Sequence, residues 1–168
     1  MLIDKRVVLT CLLSYNNLKG YHMNITVVGC GYWGKQHVRV LHELGHLHSI
    51  CDTDSLSISS MISKYNVPGF SWQAVLNNKE IDAIIIATPA PLHFNMAKEA
   101  LKAGKHVLVE KPISFTKSDV LQLVKISTEK NCQLMAGHII LYHPAFIKMK
   151  SLINTGVIGE LNYISSTR

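Results

Sequence analysis

From residue 24 onward, short apolar runs alternate with longer segments in which apolar residues recur every three or four positions. A run such as Ile25 to Val28 predicts a strand, and the spacing of His37, Val40 and Leu41 after it predicts a helix. The run from Ala83 to Ala87 is apolar at every position, which indicates a strand that is buried on both faces. This alternation predicts an α/β fold, a doubly wound parallel sheet of the Rossmann type with helices on both faces.

The same pattern gives the expected elements. It predicts five strands, at residues 25–28, 47–51, 83–87, 106–109 and 134–136. Helices fill the intervals, and Gly45, Pro68 and Gly104 mark where the first three of them end. A further helix is predicted from Pro144 to Gly156, and residues 160–168 are predicted as a last strand. That strand either pairs back onto the parallel sheet or opens a second domain.

The first 22 residues differ from the rest of the chain. Their charged start and apolar stretch imitate a signal peptide, but the apolar stretch is short and no A-x-A-like cleavage site follows it. A strand begins directly after Met23. We therefore expect Met23 to be the natural start and residues 1–22 to be a non-native N-terminal extension.

Composition and charge narrow the classes of partner. The length of 168 residues suits about one domain, and the formal net charge is +6. The basic residues are scattered and no stretch interleaves them with aromatic residues, so we expect no nucleic-acid partner; the positive excess suits anionic small molecules. No apolar run approaches the roughly 20 residues that cross a bilayer, so we expect a soluble chain with no membrane partner.

The cysteines and histidines do not indicate a metal site. The four cysteines lie far apart without a C-x-x-C pair, which favours reduced thiols and a cytoplasmic location. His42 and His46 share a helix face, but the predicted helix ends at Gly45, between them. No carboxylate or cysteine completes a ligand set at suitable spacing, so we interpret these histidines as surface residues and predict no metal.

A glycine pattern provides the first candidate chemistry. Gly29, Gly31 and Gly34 form G-x-G-x-x-G directly after the first predicted strand and at the start of the first helix. In this context the first glycine allows a tight turn, the second lets the backbone approach a pyrophosphate, and the third permits close helix packing. The helix N-terminus then faces the phosphates. We therefore predict a dinucleotide site; the alternative is that these glycines only form turns.

Asp52 bears on which dinucleotide binds. It ends the second predicted strand, 18 residues after Gly34. A carboxylate at this position accepts hydrogen bonds from the adenine ribose hydroxyls and repels a 2′-phosphate. Residues 52–60 contain no arginine that would bind such a phosphate. The sequence therefore favours NAD over NADP as the cofactor.

Two further segments carry a family resemblance. Residues 88–93 read Thr-Pro-Ala-Pro-Leu-His after the central strand, and residues 103–112 end in Glu-Lys-Pro after the next strand. Together with the glycine turn, they resemble the Gfo/Idh/MocA family of glucose–fructose oxidoreductases and inositol dehydrogenases. Members of that family oxidise or reduce sugar hydroxyls with a nicotinamide cofactor. The resemblance runs from Met23 to the end of the chain and implies an NAD(P)-binding Rossmann domain over residues 23–140.

The resemblance also implies roles for individual residues, because the Glu-Lys-Pro of the family lies beside the nicotinamide. Besides the three glycines and Asp52, the expected cofactor contacts are Tyr32, Trp33, Thr88, Pro89, His93, Glu110, Lys111 and Pro112. Glu110 is expected to orient the lysine ammonium or a cofactor hydroxyl. His93 has an equally good alternative, since a histidine in the first turn of a helix is often a packing residue.

Lys111 is the candidate catalytic residue, and a physical argument supports it apart from the resemblance. It stands at the carboxyl end of a predicted parallel strand, the edge at which open α/β sheets bind ligands. An ammonium there can donate to the reacting hydroxyl and stabilise the alkoxide that develops as hydride leaves. The alternative is a surface lysine in a loop beside a structural proline.

Residues 137–145 indicate a class of substrate. They resemble the segment that follows the last Rossmann strand in family members acting on nucleotide-activated sugars, and the Tyr32-Trp33 pair is also common among those members. His138 is the candidate substrate contact, with core packing as the alternative. Many relatives have Arg-Phe where this chain has Leu141-Tyr142, and this departure leaves the sugar open. A sugar or nucleotide-sugar, such as a UDP-amino sugar, is the expected substrate.

The resemblance predicts that a domain is missing. Relatives continue into a C-terminal α+β substrate domain and take a catalytic Asp and His from a later helix. Residues 141–168 would be the connecting helix and first strand of that domain. We therefore expect a truncated dehydrogenase with little activity alone, and a homo-oligomer only for the full-length form. The alternative is a non-catalytic NAD-binding module, acting as a redox sensor or a partner subunit.

Overall fold

The computed structural model describes residues 22–166, which form one parallel sheet flanked by helices. The strands are β1 (Ile25–Val28), β2 (Leu47–Cys51), β3 (Ala83–Ile86), β4 (His106–Val109) and β5 (Leu134–Ala136). The helices are α1 (Tyr32–Glu43), α2 (Ser55–Tyr65), α3 (Trp72–Asn77), α4 (Ala90–Lys102), α5 (Lys117–Glu129) and α6 (Pro144–Asn154), and a 3₁₀ turn spans Ile139–Tyr142. The strand order is β2-β1-β3-β4-β5.

The sheet separates two apolar cores, as a doubly wound fold requires. On one face, β1 packs against α1 and α2 through residues such as Val27, Leu41 and Met61. On the other face, β3 packs against α4 and α5 through residues such as Ile84 and Leu101. All four residues of β3 are buried, which confirms the interpretation of its continuous apolar run as a central strand.

The positions of the five predicted strands are confirmed, with the third ending one residue earlier. Helix α3 was not predicted. It is six residues long and begins after Ser71, whose hydroxyl accepts a hydrogen bond from the Ala74 N–H. A helix of fewer than two turns offers too few positions for a periodic pattern, so its sequence gives no helical signal.

The predicted last strand does not pair back onto the sheet within residues 22–166, so that alternative is wrong, whereas the alternative that it opens a second domain stays a prediction. Residues 160–166 are exposed, and none of them pairs with the sheet or with another segment of residues 22–166. An isolated extended segment has no ladder of hydrogen bonds and therefore does not qualify as a strand. Residues 167 and 168 lie outside the described chain, as does the predicted N-terminal extension except for His22. Across residues 22–166, none of the helices has the length and apolar character needed to traverse a bilayer.

Candidate functional site

The site lies where the chain changes direction in the sheet. After β1 the chain crosses to β2 on one side, and it later returns to β3 on the other side of β1. In open α/β sheets, ligands bind in the crevice that this switch creates at the carboxyl ends of the strands. A cavity of about 600 Å³ opens at this place. Its lining residues are Val28, Gly29, Gly31, Tyr32, Trp33, Cys51, Asp52, Thr53, Ser71, Trp72, Ala87, Thr88, Pro89, Leu92 and Met96.

The three glycines of the turn have different physical requirements. Gly29 has φ of +89°, and a Cβ there would lie 2.7 Å from the carbonyl carbon of Ala87. A Cβ on Gly34 would lie 1.7 Å from the Gly29 carbonyl oxygen, so helix α1 packs directly on the turn. By contrast, a Cβ on Gly31 would meet nothing within 4 Å. The first and third glycines therefore serve the fold, and the second keeps space open beside the helix N-terminus.

That N-terminus suits an anion. Gly31 is the N-cap of α1 and supplies no side-chain cap, and no acidic residue lies in the first turn. The first N–H groups of a helix have no partner within the helix, and the helix dipole adds partial positive charge at this end. The open space beside Gly31 thus adjoins backbone donors that can hold phosphate oxygens.

Asp52 is fixed in the cavity wall by backbone donors. Its carboxylate accepts hydrogen bonds from the N–H of Cys30 in the glycine turn and, at 2.8 Å, from the N–H of Asp54. Asp54 caps α2, and the hydroxyl of Ser57 is the main reason that the pKa of its carboxyl is lowered. Two carboxylates therefore stand at the end of β2, where an approaching phosphate would meet negative charge.

Cys30 and Cys51 lie beneath the same wall. Both side chains are buried. Burial, followed by the nearby Asp52 carboxylate, raises the pKa of Cys30 to about 12 and that of Cys51 to about 11. Since the thiolate is the reactive form of cysteine, both residues are inert neutral thiols at neutral pH. They therefore serve as small buried side chains beneath the wall of the cavity.

The apolar side of the cavity contains residues that the sequence analysis missed. Trp72 of α3 lines the cavity together with Leu92 and Met96 of α4, and the Trp72 indole N–H donates to Glu99 Oε2 at 2.6 Å. Trp72 escaped notice because α3 itself was not predicted. Leu92 and Met96 carried a usable signal, since two apolar residues four positions apart follow the Thr88-Pro89 pair on one helix face.

His93 does not face the cavity. It is 2% exposed, and its Nδ1 and Nε2 atoms each lie 2.7 Å from a backbone carbonyl oxygen, of Pro112 and Thr88 respectively. The ring therefore links the loop after β3 to the loop after β4. The expected contact of His93 with a cofactor does not fit this geometry, and the packing alternative does. Pro112 contributes a carbonyl to this link, and its peptide bond to Lys111 is cis.

The remaining predicted residues lie at the next two strand ends. Lys111 is exposed directly after β4, and His138 is exposed two residues after β5, so His138 is not a core residue. Glu110 is buried, with Oε1 2.7 Å from His37 Nε2 on α1, a contact that the sequence did not predict. We call the cavity at β2, β1 and β3 the enclosed half of the site, and the surface around Lys111 and His138 the open half.

Residues 23–138 match the Gfo/Idh/MocA family model, described as an oxidoreductase family with an NAD-binding Rossmann fold. The 2,7-anhydro-N-acetylneuraminate hydratase of Escherichia coli is 33% identical over 142 residues, 83% of this chain and 38% of that protein. The UDP-N-acetylglucosamine 3-dehydrogenase of Acidithiobacillus ferrooxidans is 31% identical over 125 residues, 74% of this chain and 39% of that protein.

Solved structures share the fold. That UDP-N-acetylglucosamine 3-dehydrogenase superimposes with a TM-score of 0.72 at 30% identity, covering 77% of this chain and 41% of its own. The myo-inositol 2-dehydrogenase of Lactobacillus plantarum superimposes with a TM-score of 0.76 at 25% identity, covering 83% of this chain and 43% of its own. The chain thus spans about 40% of the length of the curated relatives it matches.

Proposed function

Because the chain belongs to the Gfo/Idh/MocA oxidoreductase family, we propose that it binds NAD and takes part in hydride transfer between the nicotinamide and a hydroxyl of a sugar or nucleotide-sugar. The observation that carries this proposal is the cavity at the switch point of the sheet. It includes the open space beside Gly31, the Asp52 carboxylate and an apolar wall. These features suit the pyrophosphate, the ribose and the base of a dinucleotide in turn.

The residues present fit that cofactor. The backbone at Gly31 and the N-terminus of α1 would hold the pyrophosphate, because the open space beside Gly31 coincides there with the positive end of the helix dipole. Asp52 would accept the adenine ribose hydroxyls. The base would then lie against Trp72 and Leu92, which line the same cavity. Thr88 and Pro89 would border the nicotinamide half, since they follow the neighbouring strand β3.

We propose NAD rather than NADP. Asp52 and Asp54 are both at the end of β2. The hydrogen bonds that the Asp54 carboxylate accepts from the Ser57 hydroxyl and the Leu56 N–H lower its pKa and keep it ionised at neutral pH. A 2′-phosphate brought to the ribose would meet these charges without an arginine in residues 52–60 to neutralise it. This repulsion acts on NADP and not on NAD, because NAD has no 2′-phosphate.

Lys111 is the proposed catalytic residue. When bound, the nicotinamide supplies the two-electron hydride acceptor or donor. The Lys111 ammonium, exposed at the end of β4, would donate a hydrogen bond to the reacting hydroxyl oxygen of the substrate and stabilise the negative charge that builds on it. His138, exposed at the end of the adjacent β5, would contact the same substrate from the other side.

The names of the relatives support a polyhydroxylated substrate. One relative acts on UDP-N-acetylglucosamine, a second on 2,7-anhydro-N-acetylneuraminate and a third on myo-inositol. Each is a ring bearing several hydroxyl groups, and the first is a nucleotide-sugar. We therefore propose a sugar of this kind, with UDP-amino sugars as the first to assay.

Titration calorimetry with NAD, NADP and AMP tests the cofactor proposal on the 168-residue chain. We expect NAD to bind and NADP to bind more weakly by about tenfold or more, the effect of 1.4 kcal/mol of charge repulsion. Equal or tighter binding of NADP would contradict the role of Asp52. NADH formation from a panel of sugars then tests the enzymatic interpretation: activity that is lost in Lys111→Ala supports catalysis and contradicts a non-catalytic binding module.

A further inference from the structure

A buried polar pair joins the two halves of the site. His37 lies on the inner face of α1 and is 2% exposed, and Glu110 directly precedes Lys111 and is 7% exposed. His37 Nε2 and Glu110 Oε1 are 2.7 Å apart, although the residues are 73 positions apart in the sequence. The pair therefore ties the helix that begins at the glycine turn to the strand end that carries Lys111.

Gly137 completes the junction. A Cβ on this residue would lie 3.0 Å from Glu110 Oε2 and 3.3 Å from Glu110 Cα, so only a glycine leaves the carboxylate its full space. The Gly137 N–H donates to the carbonyl of Val109 at 2.7 Å, which holds the end of β5 against the end of β4. His138 follows Gly137 and Lys111 follows Glu110. The Glu110 carboxylate therefore lies beside the backbone that carries both exposed residues of the open half.

Stability alone does not require a polar pair here. Replacing a buried pair by apolar residues of similar size often leaves the stability of a protein unchanged, whereas removing one partner alone is strongly destabilising. Unlike an apolar contact, a hydrogen bond between charged or polar groups fixes the distance and direction between two elements. The pair at His37 and Glu110 therefore fixes where Lys111 stands relative to the helix that would hold the cofactor phosphates.

We propose that Glu110 and His37 are a positioning pair that couples occupancy of the enclosed half to the placement of Lys111. The inference rests on the proposed NAD site and deepens it. Glu110 acts here through the backbone of its neighbour. A cofactor bound at the N-terminus of α1 holds that helix in place, the pair transmits this position to the end of β4, and the Lys111 ammonium is held beside the nicotinamide.

The test measures the placement of Lys111 directly. The full chain is treated with acetic anhydride with and without saturating NAD, and acetylation of Lys111 is quantified by peptide mass spectrometry. Lys117, which is also exposed and six residues away, is the internal control. In the unaltered chain we expect NAD to protect Lys111 by about tenfold, near the lower end of the usual range for coupled sites, and to leave Lys117 unaffected.

The decisive variant replaces both partners, His37→Leu with Glu110→Met, so that no buried charge is left unpaired. We expect its thermal midpoint and its affinity for AMP, which occupies only the enclosed half, to match those of the unaltered chain. Protection of Lys111 by NAD should disappear. Glu110→Gln, which keeps an acceptor of the same length, should retain most of the protection.

Each outcome decides the question. Full protection in the folded double variant would overturn the coupling and leave the NAD site intact, and equal loss of AMP affinity would show a merely structural role. Absence of NAD binding to the unaltered chain would overturn both proposals. Should the double variant fail to fold, protection of Lys111 is measured in the unaltered chain with AMP, which occupies only the enclosed half. Absence of protection by AMP would also overturn the proposal.

Discussion

The enclosed half and the open half of the site occupy neighbouring strand ends but are built differently. The enclosed half is bounded on several sides, by the glycine turn, the end of β2, α3 and the face of α4. The open half consists of loops after β4 and β5 in which Lys111 and His138 are exposed. The enclosed half is thus a preformed pocket. The open half is an exposed surface that no other segment of residues 22–166 covers.

A similar contrast separates two helices. Helix α4 buries four residues, including Ala97 and Leu101, against the sheet. Helix α6 buries none of its side chains, and Ile147 on it is exposed. Both helices carry apolar residues, but an apolar face is buried only where a partner surface covers it. We propose that the enclosed half provides most of the ligand binding and that the open half adds little to it, and the following experiments test this contrast.

The largest effect is expected from Gly34→Ala. The new Cβ would lie 1.7 Å from the Gly29 carbonyl oxygen, so α1 has to move away from the turn. We expect a loss of unfolding free energy of about 3 kcal/mol or more, at the upper end for overpacking, together with loss of NAD binding. Thermal unfolding and calorimetry measure the two quantities.

Gly31→Ala is the matched control for that variant. Its Cβ meets nothing within 4 Å, so the fold should tolerate it. The same methyl group occupies the space of the pyrophosphate, so NAD affinity should still fall by about tenfold or more. If Gly31→Ala bound NAD normally, the phosphates would have to lie elsewhere.

The next largest effect is expected from Asp52→Asn. Hydrogen bonds to a charged acceptor contribute about 1.5–3 kcal/mol, so NAD affinity should fall by about tenfold to a hundredfold. NADP should lose less, because the variant removes a repulsive charge as well as an acceptor. Asp54→Asn is the control, since it removes a nearby exposed carboxylate and should change NAD affinity less. An unchanged preference for NAD in Asp52→Asn would contradict the assignment of the ribose site.

Trp72→Ala tests the base end of the enclosed half. An aromatic ring stacked on a base contributes about 1–3 kcal/mol, so AMP affinity should fall by about tenfold. Nicotinamide mononucleotide, which lacks the adenine, should bind the variant and the unaltered chain equally. Trp72→Phe keeps a ring and loses the hydrogen bond to Glu99, and it should restore most of the AMP affinity. Equal losses for AMP and nicotinamide mononucleotide would indicate a structural role only.

An alkaline effect should follow from the thiols beneath the enclosed half. In the unfolded chain Cys30 and Cys51 titrate near 9.0, but in the folded chain burial raises the pKa of Cys30 to about 12 and that of Cys51 to about 11. Above pH 9 the unfolded chain therefore loses protons that the folded chain keeps, and unfolding free energy falls as pH rises. The slope is at most about 1.4 kcal/mol per pH unit for each thiol.

Denaturant unfolding at pH 8, 9 and 10, chosen to span the onset of this window at about 9, measures the slope. The double variant Cys30→Ala with Cys51→Ala should lose stability more gradually over the same range. Other groups titrate in both proteins, so the difference between the two slopes isolates the thiols. Identical slopes would show that these thiols ionise equally in the folded and unfolded chains.

The smallest effect is expected from Lys111→Ala on NAD binding. Lys111 is exposed, and an exposed ion pair between its ammonium and the cofactor would contribute about 1 kcal/mol at most. NAD affinity should therefore change by less than about fivefold. His138→Ala should behave in the same way. A loss as large as that of Asp52→Asn would show that the open half contributes substantially to binding and would remove the contrast between the two halves.

The sequence was sufficient for the sheet and for much of the enclosed half. Strands such as β3 are apolar at every position and bounded by polar or turn residues, which makes them recognisable without any tertiary information. Gly29, Gly31 and Asp52 are recognisable because a local backbone requirement or a strand end fixes their position. Local physics determines each of these features.

Features that depend on distant segments were not predicted. The contact of His37 with Glu110 joins residues 73 positions apart, and the two carbonyl contacts of His93 come from two different loops. The segment 160–166 has strand-like composition but no partner for its backbone within residues 22–166, so composition alone did not show whether it pairs with the sheet. Strand pairing and side-chain burial each require two contacting surfaces. A single stretch of sequence describes only one of those two surfaces.

The chain contains two tryptophans, Trp33 and Trp72, and both line the enclosed half. All indole emission from this protein therefore originates at the enclosed half, where we propose that the dinucleotide lies. In Trp72→Phe the remaining indole is Trp33, at the N-terminus of α1. In Trp33→Phe the remaining indole is Trp72, on the apolar side of the cavity. The protein thus carries a built-in optical reporter that resolves the phosphate end of its site from the base end without an added label.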